Sequence, residues 1–282
     1  MLTSQSPVLT PSNLQEALHL RAENPDAMPL AGGTDVMVFI ESGSINPPAF
    51  LDLWSLRELA TIQTHDDGSV SIGALCTHAE IIAHHGAQTA APMLIEACRT
   101  VGAQQIQNRG TLAGNIANGS PAGDTLPVLL ALDAEIEVES RDRGSRRIRM
   151  ASVYTGYRTL AMEPDELITW VHLPPRHPKD RTHFRKVGTR QAQAISKVIL
   201  AVRLRVEAGV VSEARVAVGS VGPCPMRSPA VESALVGQSV DPNMADRLSR
   251  DITPIDDVRS TAAYRLSVSK RVLRSCLNGM KD

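Results

Sequence analysis

The stretch Gly110-Thr111-Leu112-Ala113-Gly114-Asn115-Ile116-Ala117-Asn118-Gly119-Ser120-Pro121-Ala122-Gly123-Asp124 constrains this chain more than any other. It holds four glycines, two asparagines, a threonine, a serine and an aspartate, with almost no side-chain bulk. Such a segment cannot be held by burying its own apolar surface. Its composition suits a backbone that turns tightly and lays N–H groups against a large polar partner. A second small-residue loop, Ala31-Gly32-Gly33-Thr34-Asp35, precedes it. The two loops are expected to grip one dinucleotide cofactor from different sides. Neither contains a basic residue, and backbone N–H and hydroxyl groups are adequate for a diphosphate that is carried rather than hydrolysed.

The elements that present these loops follow from pattern. Ser12-Asn13-Leu14-Gln15 reads as a capping box opening a helix, with Leu14, Ala17 and Leu18 at helical spacing and a stop at Asn24-Pro25. Met28 to Ala31 reads as a strand, and Asp35 to Ile40 as a helix after the tight loop. Phe50 to Trp54 reads as a strand, and Ile62 to Gly73 as a hairpin folded at Asp66-Asp67-Gly68. Thr77-His78-Ala79-Glu80 is a second capping box, and Pro92 suits the first turn of a helix reaching Val101. Asp124 to Leu132 reads as helical with Asp124 as N-cap. Ala134 to Ser140 and Arg146 to Met150 form a hairpin, and Leu167 to Leu173 a strand closed by Pro174-Pro175. Three prolines between Pro174 and Asp180 mark a domain boundary. Beyond it come strands over Phe184 to Val187, Ile195 to Val206 and Val211 to Val221, the last two turning about Ala208-Gly209. A helix follows over Ser228 to Val236, then one over Ser260 to Leu277 with Ala262, Leu266, Leu273 and Leu277 on one face.

Several function classes are disfavoured. Lys+Arg 29 against Asp+Glu 30 leaves a net charge of −1, with no basic surface for nucleic acid. Aromatics are 3%, too few for a base-stacking platform. The four cysteines, Cys76, Cys98, Cys224 and Cys276, are scattered, so an iron–sulfur cluster or structural zinc of this chain's own is not expected. Isolated thiols, a polar Met1 to Pro11 and no run of membrane-spanning length read as cytoplasmic, without membrane insertion. His84-His85 point about 100° apart on a helix, and the His177 and His183 pair lacks further ligands. There is no G-x-S-x-G elbow, G-x-G-x-x-G fingerprint or P-loop. Arg143, Arg146, Arg147 and Arg149 read as a solvated strand edge, with an acidic partner surface as the other possibility.

At the two loops the chain resembles the FAD-binding (medium) subunit or domain of the molybdenum hydroxylases, the xanthine dehydrogenase and aerobic carbon monoxide dehydrogenase family. The first family loop, A-G-G-T-D, stands unbroken at Ala31 to Asp35. The second, R-N-x-G-T-I-G-G-N, corresponds to Gln107 through Asn115, and N-G-S-P-x-x-D to Asn118 through Asp124. Gly156-Tyr157-Arg158, Pro164 to Ile168, Phe184-Arg185-Lys186, Pro225-Met226-Arg227 and Ala263-Tyr264-Arg265 continue the match in order. The resemblance implies an α+β fold of the vanillyl-alcohol-oxidase/PCMH type. Its parts would be an N-terminal FAD-binding subdomain (1–55), a second one (56–176), and a C-terminal domain (177–282) with a three-stranded antiparallel sheet and helices.

The resemblance also implies a role and a site. A large molybdopterin subunit would hydroxylate a substrate, and electrons would pass through [2Fe–2S] clusters of a small subunit to FAD on this chain. They would leave to NAD⁺, dioxygen or another acceptor. Leu30, Ala31, Gly32, Gly33, Thr34, Asp35 and Val36, with Thr111, Leu112, Ala113, Gly114 and Asn115, would hold the diphosphate and ribityl portions. The backbone N–H of Gly114 would face the diphosphate. Val101, Asp124, Ile168 and Lys186 would line the rest, and Tyr157 would lie near the acceptor's approach. Two departures stand out: Ala113 replaces the first glycine of the Gly-Gly pair, and Gln107 replaces an arginine. Were φ positive at Ala113, its methyl would cost roughly 1 kcal/mol or more. A free-standing flavin oxidoreductase, and a module that has lost FAD, remain the alternatives.

Overall fold

A computed structural model describes residues 6–190 and 193–281; of the N-terminal stretch Met1 to Pro11, the first five residues lie outside it. The chain begins with β1 (Val8–Leu9), α1 (Leu14–Glu23), β2 (Met28–Leu30), α2 (Val36–Glu41) and β3 (Phe50–Asp52). The strands form a parallel sheet in the order β1–β3–β2. Ala17 and Leu18 of α1 bury against Leu51, Leu53 and Leu56. The cap of α1 lies one residue later than the expected box. Asn13 accepts from the Glu16 N–H at 2.9 Å, while the Glu16 carboxylate accepts from the Ser12 N–H at 2.8 Å. A carboxylate at 16 holds that N–H more strongly than the neutral Gln15 amide, which sets the register.

The middle of the chain contributes β4 (Ile62–Thr64), β5 (Val70–Gly73), α3 (His78–Ala83), α4 (His85–Ala90), α5 (Pro92–Thr100), α6 (Gln104–Gln107), α7 (Leu112–Asn118) and α8 (Leu126–Ala131). Then come β6 (Glu135–Ser140), β7 (Gly144–Arg149), α9 (Met150–Val153), β8 (Tyr154–Gly156), β9 (Thr159–Leu160) and β10 (Leu167–Leu173). The five-stranded antiparallel sheet runs β4–β5–β10–β6–β7. Its inner residues, among them Ile72, Ile136, Val138 and Val171, share one core with the buried faces of α5, α7 and α8. Alternation along β6 sends Ile136 and Val138 inward and Glu135, Glu137 and Glu139 outward. The four arginines of β7 and its turn meet acids of this chain. Arg146 takes Glu166 at 2.7 Å, Arg143 takes Asp165 at 2.5 Å, and Arg147 and Arg149 take Glu137 and Glu135 at 3.6 Å.

The last part contains β11 (Asp180–Val187), β12 (Val198–Glu207), β13 (Val210–Gly219), β14 (Met226–Arg227), α10 (Pro229–Leu235), a 3-10 segment over Pro242–Arg250, and α11 (Ala262–Gly279). The antiparallel sheet has four strands, not three, because Met226 and Arg227 pair with Val218 and Ala217. Ala208 and Gly209 both take positive φ (49° and 78°), the geometry a two-residue hairpin turn requires. The buried face of α11 is rotated from the expected one, with Leu266 and Ala262 only flanking. It runs Arg265, Ser269, Leu273, Cys276 and Leu277. Two polar residues bury there on hydrogen bonds of their own, with Arg265 Nε alone left without a partner among the described residues. Arg265 donates to the Ser220 carbonyl and the Asp257 carboxylate at 2.6 Å, and Ser269 donates to the Arg265 carbonyl at 2.7 Å.

One acid joins this sheet to the preceding helices. Asp133, just after α8, sits at φ 52° and accepts from Arg203 at 2.6 Å, Arg215 at 2.8 Å and Arg227 at 3.2 Å. Asp133→Ala removes three charge-assisted bonds and places alanine in a left-handed conformation. We expect a loss of about 2–4 kcal/mol, measured by chemical denaturation, with Asp133→Asn recovering part of it.

Candidate functional site

The two small-residue loops are in direct contact. A β-carbon on Gly32 would lie 1.7 Å from the Arg109 carbonyl oxygen, so only glycine lets the backbones approach this closely. Gly33 is glycine for a different reason: its φ is +75°, and a β-carbon there would meet only Leu30 and Met37 side-chain carbons at 3.6 Å. Thr34 Oγ1 lies 3.5 Å from the point where a Gly110 β-carbon would stand. Asp35 closes the junction from the far end, accepting from Asn118 Nδ2 at 2.9 Å. Asn118 Oδ1 in turn accepts from Arg158 at 2.7 Å. Partial burial raises the Asp35 carboxyl, and Arg158 opposes the rise. Leu30 ends β2, where its carbonyl accepts from the Leu53 N–H at 2.9 Å, and Val36 opens α2.

The second loop is built by the start of α7. Thr111 is its N-cap, and its hydroxyl accepts from the Gly114 N–H at 3.0 Å. That N–H caps α7, so the role expected for Gly114 toward the diphosphate would have to share it with Thr111. A β-carbon on Gly114 would stand 2.8 Å from Thr111 Oγ1 and displace the cap. Leu112 and Ala113 point into the core, and Asn115 Oδ1 accepts from the Thr125 hydroxyl at 2.6 Å. Ala113 lies within helical backbone and carries no positive φ. The feared strain is absent. Ala113→Gly should cost about 1–2 kcal/mol in denaturation of the whole chain, by lost helix propensity and methyl burial, and should bring no tighter binding of a cofactor.

The other departure also has a structural account. Gln107 is buried, and its Nε2 donates to the Arg99 and Val101 carbonyls, both at 3.2 Å. It ties down the end of α5, where Val101 is the C-cap. The neighbouring Thr100 carbonyl accepts from Lys186 Nζ at 3.0 Å, and Lys186 pairs with Asp124 at 2.5 Å. Val101, Asp124 and Lys186 are thus brought together. Asp124 serves this pair, not the cap of α8, which is Thr125. Ile168 lies in β10, in the same core as Leu112 and Ala113.

Burial pushes the Asp124 carboxyl up to about 6, with Lys186 opposing the rise, and Asp124 Oδ1 is sealed without a partner among the described residues. A carboxyl held above its unfolded value binds its proton more tightly when folded, so this group makes stability fall as pH rises from about 4 through 6. Lys186→Met should lower stability by about 3–5 kcal/mol at pH 7, since it leaves a buried charge unpaired. The deficit should shrink at pH 5, where Asp124 protonates; urea denaturation at the two pH values checks this.

Three side chains at the site escaped the sequence reading. Arg109 stacks its guanidinium on Trp54, 3.9 Å from the ring centroid. Arg158 takes φ 53° and lies 5.1 Å from the centroid of the Phe39 ring; a β-carbon on Gly119 would come within 3.1 Å of its Cα. His78 is fully buried beside Gly110. Only Arg158 carried a signal, as part of the Gly156-Tyr157-Arg158 motif. Tyr157 itself is 63% exposed.

Two family models cover the chain: the FAD-binding domain in molybdopterin dehydrogenase over residues 3–176, and the CO dehydrogenase flavoprotein C-terminal domain over 183–280. The chain belongs to this family. It is 30% identical over 274 residues to the xanthine dehydrogenase FAD-binding subunit of Escherichia coli O157:H7, covering 95% of this chain and 93% of that one. It is 32% identical over 263 residues to the glyceraldehyde dehydrogenase medium chain of Sulfolobus acidocaldarius, covering 92% of each. In structure it superposes on a chain of carbon monoxide dehydrogenase from Hydrogenophaga pseudoflava with TM-score 0.93 and 25% identity, over 99% of this chain and 98% of that one. The mixed helix-and-sheet fold with a C-terminal antiparallel sheet and helices is that of this flavoprotein family, and FAD is its cofactor. The residues present fit such a group. Gly32 and Gly33 leave the first loop without side chains where it meets the second, with Gly33 at positive φ, and an unpartnered Asp124 oxygen lies among the buried groups near Val101 and Lys186. Among the described residues no helix is long and apolar enough to cross a membrane, and no group of three or more His, Cys, Asp or Glu is arranged to hold a metal ion.

Proposed function

We propose that this chain is the FAD-carrying, electron-transferring subunit of a molybdenum hydroxylase. It would take electrons from [2Fe–2S] clusters of a small partner chain, fed by a large molybdopterin chain, and pass them to NAD⁺, dioxygen or another acceptor. The observation that carries the reading is the backbone contact of Gly32 with Arg109, which joins two glycine-poised loops into one cradle within a chain matched to the family almost end to end. In it Leu30 to Val36 and the turn built by Thr111 to Asn115 would flank the diphosphate and ribityl span, with Leu112 and Ala113 anchoring that turn in the core, while Val101, Asp124, Ile168 and Lys186 would line the remainder. Residues 1–55 and 56–176 would hold the cofactor between them, with 177–282 closing the site. Tyr157 would stand where an acceptor approaches.

The bound flavin supplies the redox chemistry, and the protein supplies binding, orientation and electrostatics. Thr111 holds the start of α7 through the Gly114 N–H. Asp35 and Asn118 tie the two loops together. Lys186 keeps one cation against Asp124 inside a dry wall, so its charge is fixed in place and little screened.

The purified chain should be yellow, and acid should release FAD identifiable by chromatography. A colourless chain that takes up no FAD on reconstitution overturns the reading. Gly32→Ala should lose most FAD, because its methyl drives the Arg109 carbonyl away, while the C-terminal sheet stays folded by circular dichroism and limited proteolysis. Purification from the native source should recover a large molybdenum-containing chain and a small iron–sulfur chain; a fully active solitary chain would favour a free-standing oxidoreductase.

A further inference from the structure

His78 stands where the two cofactor loops meet, on a third segment of chain. Thr77 and Thr111 form an isolated antiparallel bridge. On either side of it the His78 N–H donates to the Gly110 carbonyl at 3.0 Å, and the Leu112 N–H to the Cys76 carbonyl at 3.2 Å. The capping box of Thr77 and Glu80 holds the start of α3 from the other side. The backbone of His78 is therefore fixed against the second loop. Its side chain is 1% exposed. Its Cδ2 lies 3.4 Å, and Thr34 Oγ1 3.5 Å, from the same point above Gly110.

The two ring nitrogens are not equivalent. Nδ1 is sealed from solvent and has no hydrogen-bond partner among the described residues. Nε2 is bonded to Cδ2, on the edge turned toward Gly110 and Thr34. A neutral imidazole carries one N–H, and an unsatisfied buried N–H is costlier than an unsatisfied lone pair. The lone pair therefore belongs on sealed Nδ1, and the proton on Nε2. Burial lowers the ring's pKa to about 4, so it is neutral at physiological pH. The result is an N–H donor on the ring edge beside the junction, where the one arginine of the contact, Arg109, lays its guanidinium on Trp54. A donor placed so suits an anion.

We propose that His78 is a binding residue for the FAD diphosphate, donating from Nε2–H to a phosphate oxygen at the junction of Thr34 and Gly110. This rests on the cofactor reading above and adds a third wall to the site.

The test uses the full chain, stripped of FAD and reconstituted. Gln presents an amide nitrogen near the place of Nε2, and Asn near the place of Nδ1. His78→Gln should bind FAD within about threefold of the parent, and His78→Asn should bind about tenfold or more weakly, the loss of a hydrogen bond to a charged group. His78→Phe should weaken FAD at least as much, yet unfold the FAD-free protein at equal or higher denaturant, since no unpaired nitrogen is left buried. ADP, competing through the same diphosphate, should lose as much as FAD, whereas riboflavin should lose nothing. Asn and Phe variants that bind FAD and ADP like the parent overturn the assignment, as does an Asn variant equal to Gln. Equal losses for riboflavin and ADP also overturn it. If His78→Phe does not fold, the Gln and Asn pair decides. A parent that binds no FAD at all sinks the cofactor reading itself, a result distinct from all of these.

Discussion

The backbone of Gly32 rests against the carbonyl of Arg109, and the geometry of the site depends on that contact. One loop is delivered by a parallel three-stranded sheet, the other by helices packed on an antiparallel five-stranded sheet. Two units of different architecture thus meet through main-chain atoms, where no rotamer can adjust. Arg109 reinforces the contact by laying its guanidinium on Trp54, just beyond β3. Asp35 and Asn118 add a second tie at the far end of the loops. The spacing between the loops is then a property of the backbone, which is what a site for a large rigid ligand needs.

Charge is managed by pairing at the margins. Asp35 is followed by Asn118 and Arg158, and Asp124 by Lys186, so each acid near the cradle has a partner that fixes its direction. The Asp124 pair is the more committed one, with both side chains under a tenth exposed. Farther out, Asp133 gathers arginines from three neighbouring strands and holds the C-terminal sheet against α8. Acids placed at such joins set the position of one sheet relative to the next, more than they add net stability.

Much of this was legible from residues alone. The hairpin at Asp66-Asp67-Gly68, the Thr77 box, Pro92 at a helix start and the strand Leu167–Leu173 all follow from local rules, because turn and cap chemistry act within a few residues. The two loops were visible as composition. What pattern could not supply was the use of a side chain by a distant element. Asp124 has the look of an N-cap but is claimed by Lys186, far along the chain. Gly114 has the look of a ligand contact, and its N–H also serves its own Thr111 cap. The buried face of α11 keeps Leu273 and Leu277 but takes in Arg265 and Ser269 instead of Ala262 and Leu266, because distant groups accept from the arginine. Arg109 and His78 matter through contacts made across the junction, which no local spacing announces.

The position of β10 has a consequence for how the molecule is made. This strand sits in the middle of its sheet, between β5 and β6, yet it is the last of the five in chain order. The hairpin of β4 and β5 leaves the ribosome roughly a hundred residues before its central partner. At about 5–20 residues per second that is a wait on the order of 5–20 s. During it the inner edge of β5 has unpaired N–H and C=O groups, and α7 lacks the strand it packs on. The nascent chain must therefore be kept from pairing elsewhere until Leu173 emerges, and chaperone demand should concentrate in that interval rather than at the end of synthesis.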